Sequence, residues 1–340
     1  MRSALKRGLF PALAAVLLFQ APLILSAQFS PDFGAGLTPI ANFQINPKFP
    51  GANTQVDIVL ENFDTDLNRA NITWYLDGKI QKEGIGERNF TFTTGSLGSA
   101  SVIRAVIEPN DIATFSHQQT IRPSEVDIIW EAETYTPTFF KGKKLYSQES
   151  KLNILAIPQF INSSGNRIPS DNLIYTWKYN SNNLSRASGY GRDTLSLFGS
   201  LFEQRETVEL TVESLDGQYI TKKSIVIKAV NPEIIFYQNH PLYGLLLNRA
   251  LPEQFNLEGD EITVSAEPYY FDGDASPGSS LQFSWTINNT PTRPLIEAPR
   301  ALVLRREGGL TGIAQIGLSV SHLSKILQVA SNNFHISFGQ

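Results

Sequence analysis

Two pairs of aspartates are spaced so that both carboxylates of a pair could reach one metal ion. Asp64 and Asp66 form the first pair, and Asp272 and Asp274 form the second. Carboxylates two residues apart in a turn suit a hard cation such as Ca²⁺, but an EF-hand loop needs further oxygen ligands and a final Glu, which neither segment has. Aspartates are also common in turns, because their side chains hydrogen-bond the nearby backbone. This second interpretation is favoured, and the sequence predicts no metal site.

Other side chains capable of chemistry are scattered along the chain. No two of the four histidines lie three or four residues apart, so no helix face could present a metal-binding pair. The motifs of serine hydrolases, zinc peptidases and nucleotide-binding loops are absent. The sequence therefore predicts no catalytic, cofactor-binding or metal-binding residue, and a protein that is not an enzyme. The histidines are His117, His240, His322 and His335.

One aromatic run could stack against a sugar ring. Tyr269, Tyr270 and Phe271 are consecutive. Because side chains alternate along a strand, Tyr270 would point away from the other two. A flat exposed platform needs neighbouring rings on one face, so we predict that this run lies in the core and at its rim.

The elements that must position these residues are β-strands in three copies. A tryptophan stands at the centre of three segments in which apolar and polar residues alternate, a pattern typical of a strand with one buried face. The tryptophans are 103 and 108 residues apart, about one small β-sandwich per interval. We predict that all three are buried at equivalent places. The segments are Ala70–Leu76 around Trp74, Leu173–Tyr179 around Trp177, and Leu281–Ile287 around Trp285.

The copies match beyond the tryptophan, since each continues with a short alternating strand, a glycine turn and a further strand. This pattern predicts an all-β fold of three tandem immunoglobulin-like antiparallel β-sandwiches after an N-terminal signal helix. Repeats two and three also open alike, with Trp130 and Phe236 at matching positions, either in their own core or partly between neighbouring domains. The predicted bounds are 1–27 for the signal peptide, 28–50 for a leader or linker merging into the first strand, and 51–122, 123–231 and 232–340 for the domains.

Composition limits the classes of partner. The chain has 340 residues, of which 18% are charged, and a net charge of −4. It has no basic excess to neutralise a phosphate backbone, so nucleic acid is not an expected partner. It also has no cysteine, which excludes disulfides, thiolate zinc sites and cysteine nucleophiles.

The N-terminus has the three parts of a secretory signal peptide. Three basic residues, Arg2, Lys6 and Arg7, precede a largely apolar run from Leu9 to Leu25, and small residues at positions 26–27 offer a cleavage site. The alternative is an uncleaved membrane anchor, because the run reaches the lower length limit for a span. Two prolines within the run favour cleavage, and we predict an extracytoplasmic protein that meets a membrane only through this segment if it is uncleaved.

Several segments resemble known families. Phe271–Ser276 followed by Leu281–Trp285 resembles the polycystic-kidney-disease-type and related immunoglobulin-like domains of bacterial surface proteins, in which an Asp-Gly-Asp loop precedes a Tyr-x-Trp strand. That likeness covers mainly the third repeat. A second resemblance, spanning nearly the whole chain, is to an exported family of unknown function in candidate-phylum bacteria. It implies immunoglobulin-like modules in the cell envelope and no established activity, and it is carried by Pro50–Val56, Asp66–Trp74, Trp130–Pro137 and Glu233–Gly244.

Together these features predict an exported structural or interaction protein that serves as spacer, adhesive or docking surface. Its partner would be a protein or a glycan at the cell surface. The alternative is a carbohydrate-binding surface module, which would need an exposed coplanar pair of aromatic rings.

Overall fold

The computed structural model describes residues 41–276, 278–294, 296–308 and 311–339, which are mainly β-strand. The helical element within these ranges is one 3₁₀ turn, Ser170–Asn172. In the same ranges, no helix has the length and hydrophobicity needed to cross a bilayer. The predicted signal peptide and signal helix, residues 1–27, lie outside the described residues.

The first sandwich packs a three-stranded sheet, in the order β1-β2-β5, against a four-stranded sheet, in the order β4-β3-β6-β7. Apolar side chains alternate with polar ones along these strands, so each sheet turns its apolar face inward. The strands are β1 (Ala41–Asn46), β2 (Gln55–Asn62), β3 (Asn71–Leu76), β4 (Lys79–Ile85), β5 (Asn89–Thr93), β6 (Ser101–Glu108) and β7 (Phe115–Ile121).

The strand β1 lies within the segment 28–50, which the sequence assigned to a leader or linker. All six of its residues pair with β2, and Phe43 packs on Trp74 with 5.3 Å between ring centroids. The leader or linker was predicted because prolines lie on both sides of this stretch, although its residues alternate between apolar and polar as in a strand. The first sandwich therefore begins before residue 51.

The second sandwich packs the sheet β13-β9-β8 against the sheet β11-β10-β14-β15, with β12 also paired to β10. Trp130 lies partly buried against the core of this sandwich. The strands are β8 (Glu125–Ala132), β9 (Lys151–Gln159), β10 (Leu173–Tyr179), β11 (Asn182–Asn183), β12 (Gly189–Tyr190), β13 (Thr194–Phe198), β14 (Arg205–Ser214) and β15 (Ile220–Lys228).

The third sandwich packs the sheet β17-β16-β19-β22 against the sheet β18-β24-β23-β20-β21. All pairings are antiparallel except β18 with β24. Phe236 is buried in the core of this sandwich. The strands are β16 (Glu233–His240), β17 (Gly244–Leu245), β18 (Gln254–Leu257), β19 (Glu261–Tyr269), β20 (Leu281–Ile287), β21 (Thr290–Thr292), β22 (Ala301–Arg305), β23 (Gly312–His322) and β24 (Val329–Phe338).

The three tryptophans occupy one equivalent place in the three sandwiches, as predicted. Each is at most 1% exposed and lies on the strand that pairs with β6, β14 or β23. Each indole N–H donates to the carbonyl of the residue two positions before the strand β5, β13 or β22, which satisfies its single polar group. The acceptors are Glu87 O at 2.7 Å from Trp74, Arg192 O at 2.8 Å from Trp177, and Pro299 O at 3.0 Å from Trp285.

Candidate functional site

The connection between β8 and β9, residues 133–150, belongs to the second sandwich in sequence but lies against the third. Tyr135 N donates to Phe271 O at 2.6 Å, and Tyr270 N donates back to Tyr135 O at 2.8 Å. A β-bridge joins Thr134 to Asp272 beside them. The two sandwiches are therefore joined by backbone hydrogen bonds and not only by the chain that links them.

Aromatic side chains of this connection cover the outer face of the β16-β19 pair. Phe139 meets Tyr237 edge to face at 5.7 Å, and Phe140 meets Tyr269 in the same way at the same distance. A strand face that would otherwise meet water becomes an internal surface between the two sandwiches. Aromatic pairs in this geometry stabilise by more than their buried area alone.

The aromatic run at 269–271 is buried, as the sequence predicted. The central residue, Tyr270, is buried for a reason that the sequence did not indicate. Tyr270 is 9% exposed and has a positive φ of 64°. The strand alternation therefore ends there, and Tyr270 does not simply point to the opposite face. Its ring lies 6.4 Å from that of Phe140, in the interface with the second sandwich. The run is not an exposed sugar platform.

A buried carboxylate is shared across the same interface. Glu267 is 3% exposed, and its Oε2 accepts hydrogen bonds from Tyr135 OH at 2.5 Å and from Arg300 at 3.0 Å. Burial raises the pKa of Tyr135 to about 12, and the hydrogen bond to Glu267 acts in the same direction. The phenol therefore stays protonated and donates. Arg300 supplies the opposite charge that a buried carboxylate requires.

Gln328 is fully buried and makes hydrogen bonds to both sandwiches. Its Oε1 accepts from Asp272 N at 2.7 Å, and its Nε2 donates to Gln148 O at 2.8 Å and to Ser147 Oγ at 3.2 Å. One end of the amide thus binds the loop after β19 in its own sandwich, and the other end binds the β8–β9 connection. Nothing in the sequence around Gln328 indicates this role, because both its partner segments are far away in the chain.

The carboxylates of Asp272 and Asp274 have different partners. Asp272 accepts from Lys151 N at 3.3 Å and lies 3.8 Å from Lys325 Nζ, with both side chains mostly buried. Asp274 accepts from its own turn, at Ser276 Oγ and Ser276 N. Asp272 is therefore a residue of the interface, and Asp274 is a turn residue.

The pair in the first repeat also holds its own loop. Asp66 accepts from Asn68 N at 3.1 Å and lies 3.8 Å from Arg69 Nε, with both side chains largely exposed. Asp64 uses its backbone N–H, which donates to the side chain of Asn62. Across the described ranges, no group of three His, Asp or Glu side chains is arranged to hold a metal ion.

A polar groove of about 740 Å³ runs along the interface of the second and third sandwiches. Several of its charged groups are already paired, including Glu133 with Lys151 at 2.8 Å and Asp272 with Lys325. His322 at its edge accepts from Ser324 N through Nδ1, and burial lowers the pKa of the ring. The hydroxyl of Ser324 also lies 3.4 Å from Nδ1 of His322, within the same turn. Lys325 Nζ donates to Glu149 O at 2.9 Å and so joins the two sandwiches across the groove.

The other histidines are dispersed, as the sequence indicated. Burial lowers the pKa of His117, which packs edge-on against the ring of Phe43 at 4.5 Å. His240 stacks on Tyr243 at the end of β16. His335 is exposed on the outer face of β24.

A second buried carboxylate, Glu206, fixes the far end of the β8–β9 connection. Glu206 accepts from Tyr146 OH, from Ser200 N and from Asn180 Nδ2, each at 2.7 Å. The sequence indicated that Glu206 is buried, since it occupies an inward position in the alternation of β14. No such indication exists in the sequence for Glu267, because it lies on the outer face of β19, which the β8–β9 connection covers.

Comparisons with known proteins give no family. No protein-family model matches the chain, and no curated protein matches it. The three N-terminal domains of the bacteriophage RB49 Highly Immunogenic Outer Capsid protein align at 14% identity over 88% of this chain and 99% of that one, with a TM-score of 0.25. The central Fibronectin-III array of RIM-binding protein aligns at 11% identity over 88% and 97%, with a TM-score of 0.31. The fibronectin(III)-like modules of Clostridium thermocellum CbhA align at 13% identity over 55% and 94%, with a TM-score of 0.27. TM-scores this low carry no argument about this chain.

Proposed function

We propose that this chain is an exported, non-catalytic structural and interaction protein of the cell envelope. The observation that carries the structural role is the interface between the second and third sandwiches, and the export part of the proposal rests on the sequence of residues 1–27. It joins them through paired backbone, a shared buried carboxylate and a buried glutamine. Two immunoglobulin-like sandwiches held in this way form a stiff spacer that keeps its outer faces and loops in a fixed arrangement.

The buried titratable groups support the non-catalytic part of the proposal. Glu206 and Glu267 each have two or more hydrogen-bond donors from the protein. Catalytic acids and bases instead face a cleft in which a substrate can reach them. These two carboxylates therefore act as structural connections.

The junction between the first and second sandwiches is of another kind. Ala52 N donates to Glu125 Oε1 at 2.8 Å, and Gly98 lies close to Ile161. This junction holds no element like the β8–β9 connection in the described ranges. We infer a stiff unit of two sandwiches with a first sandwich that moves more freely, an arrangement suited to presenting a docking surface at a distance from its point of attachment.

Pulsed electron spin resonance tests this inference, and the chain needs no background mutations because it lacks cysteine. Spin labels at Thr176→Cys and Ser284→Cys span the second and third sandwiches, whereas labels at Thr176→Cys and Thr194→Cys lie within the second. We expect equally narrow distance distributions for both pairs. The variant Gln328→Ala should broaden the distance distribution of the 176–284 pair and leave that of the 176–194 pair unchanged.

A broad distribution for the 176–284 pair in the unmodified background would refute the stiff unit. Labels at Ser116→Cys and Thr176→Cys span the first junction and provide the comparison. We expect their distribution to be broader than either of the others.

A further inference from the structure

The third sandwich exposes apolar side chains that correspond to the docked ones of the β8–β9 connection. The strands β8 and β16 are equivalent, and a proline follows each of them, Pro137 in the second sandwich and Pro241 in the third. Phe139 stands two residues after the first proline, and Tyr243 stands two residues after the second. Phe139 packs on the neighbouring sandwich, whereas Leu242 and Tyr243 are 82% and 77% exposed. The third sandwich thus presents the equivalent of a docked segment to solvent.

Leu242 and Tyr243 form the tip of the β16–β17 hairpin, whose conformation is already fixed. His240 pairs with Gly244 across the hairpin, and Gly244 has a positive φ of 68° that closes the turn. The ring of Tyr243 stacks on that of His240 at 4.8 Å, and Leu242 N donates to His240 Nδ1 at 3.1 Å. A tip ordered in this way loses little conformational entropy when it binds a partner.

The second sandwich exposes the face that would receive such a tip. In the third sandwich, the outer face of β16 and β19 carries Ile235 opposite Glu267, and the β8–β9 connection covers it. The matching pair on β8 and β9 is Ile129 opposite Leu155, and these side chains are 53% and 41% exposed. They line an open cavity of about 640 Å³. The second sandwich therefore has an apolar, accessible version of the covered face.

The tip and this face do not meet within one chain. The residues that line the cavity all belong to the second sandwich. The equivalent segment of the first sandwich, residues 47–54, is shorter than the β8–β9 connection. It reaches the start of β8, where Ala52 N donates to Glu125. A contact between the hairpin tip and the Ile129 face would therefore join two copies of the chain.

The polar groups of the two surfaces also match. Tyr243 differs from Phe139 by a hydroxyl, and Glu131 occupies the position on β8 that Tyr237 occupies on β16. Where Phe139 meets Tyr237 edge to face within the chain, Tyr243 would instead offer a phenol to a carboxylate. Hydrogen bonds to an ionised acceptor are among the stronger ones.

The apolar part of the contact would be formed by Leu242 against Ile129 and Leu155, all of which would leave water. We propose that the β16–β17 hairpin tip of one chain docks on the outer face of β8-β9 of a second copy. The contact repeats between chains the interface that joins the second and third sandwiches within a chain.

A contact of this kind is heterologous, since it joins different surfaces of the two copies. Each copy keeps one free tip or one free face, so further copies can add head to tail. The proposal names a second copy as the protein partner of the interaction role proposed above and rests on that role, but it requires neither export nor stiffness. Spin-label distances within one chain and association between chains are separate measurements, so either proposal can fail without the other.

Sedimentation velocity of the full chain over a range of concentrations tests the contact. We expect the sedimentation coefficient of the parent to rise with concentration. Leu242→Lys changes the tip and Ile129→Lys changes the face, and each should weaken association at least tenfold. Both side chains are exposed, so both variants should melt like the parent.

Two matched controls place the same charge on comparably exposed apolar positions outside the contact. Leu215→Lys changes the turn after β14, as Leu242→Lys changes a hairpin tip. Val226→Lys changes the other sheet of the second sandwich, as Ile129→Lys changes the face of β8-β9. We expect both controls to associate like the parent.

Mixing the two test variants separates the head-to-tail contact from any symmetric one. The Leu242→Lys chain keeps an intact face, and the Ile129→Lys chain keeps an intact tip. At a concentration at which neither associates alone, their mixture should form a dimer and nothing larger.

Three results would overturn the proposal. The first is a parent that remains monomeric up to about 1 mM, where even weak protein contacts are populated. The second is association that survives Ile129→Lys, which would assign the tip to another surface if Leu242→Lys still abolished it. The third is a mixture of the two variants that stays monomeric.

Discussion

The ring of each buried tryptophan fills the space between two sheets, and its N–H donates to the backbone just before a strand of the opposite sheet. We expect Trp74→Ala to lower the free energy of unfolding of the first sandwich by about 3–5 kcal/mol, because it leaves a large cavity. Calorimetry should show a low-temperature transition for this sandwich, with the transition of the remaining two unmoved.

The matched control for that experiment is Trp130→Ala. Trp130 is only partly buried, under Lys143 Nζ at 3.2 Å from the ring centre. Removing the Trp130 side chain should lower the free energy of unfolding clearly less than removing that of Trp74. Equal losses would mean that the three-copy plan does not govern stability.

Gly199 lies against the phenol that binds Glu206. A Cβ at this position would lie 1.9 Å from Tyr146 OH, so a methyl group forces that hydroxyl off the carboxylate. We expect Gly199→Ala to destabilise the second sandwich by about 1–3 kcal/mol, the range found for overpacking. Gly259→Ala is the control, because its Cβ meets nothing within 4 Å. Similar urea midpoints for the two variants would contradict the expectation.

At the scale of elements, we expect the β8–β9 connection to make the stability of the folded protein fall at high pH. The pKa of Tyr135 is raised to about 12 in the folded state by burial and by Glu267, against about 10 in an unfolded chain. The stabilising contribution of the neutral phenol is complete below pH 10 and is lost as the pH rises toward 12, where the unfolded state gains by ionising.

We therefore expect the melting temperature to fall over this pH window. The melting temperature of Tyr135→Phe should fall less steeply with pH. Part of the slope should remain, because other buried tyrosines such as Tyr269 also have raised pKa values. Identical slopes for parent and variant would show that Tyr135 does not titrate with unfolding.

The Asp272–Asp274 loop provides another test at this scale. Asp272 is already held by Lys325 and by the backbone of Lys151, so a calcium ion would have to break these contacts before both carboxylates could bind it. We expect millimolar calcium or a chelator to leave the melting temperature unchanged. A rise with calcium that disappears in Asp274→Asn would establish a site after all, since binding to the folded state stabilises it.

Strands within each sandwich could be predicted from the sequence, because alternation is a local signal. Trp74, Trp177 and Trp285 are the clearest cases. The interface could not be predicted, because it depends on contacts such as Tyr135 with Glu267, which lie 132 residues apart. The β8–β9 connection shows no apolar periodicity, and the sequence indicates only a turn at Asp272.

At the scale of the whole molecule, the three sandwiches share one plan but differ in how they are joined. The proposed role as an exported spacer makes export the property to measure. The residues that would direct it, 1–27, lie outside the described residues.

We expect the mature protein to begin at or near Gln28, because basic residues, an apolar run and a small-residue site precede it. N-terminal sequencing of the protein from the envelope and from the medium measures this. The matched variant Ala27→Arg should block cleavage. An intact Met1 in the envelope fraction of the parent would instead indicate a retained anchor.

The position of the β8–β9 connection also has a consequence for synthesis. Chains emerge from the ribosome N-terminus first, so Phe139 and Phe140 appear well before β16 and β19, the strands whose outer face they cover. Until those strands arrive, the nascent second sandwich displays uncovered aromatic rings to which a chaperone could bind. A message truncated after residue 231 would leave that surface bare permanently, and its product should aggregate although all strands of its own core are present.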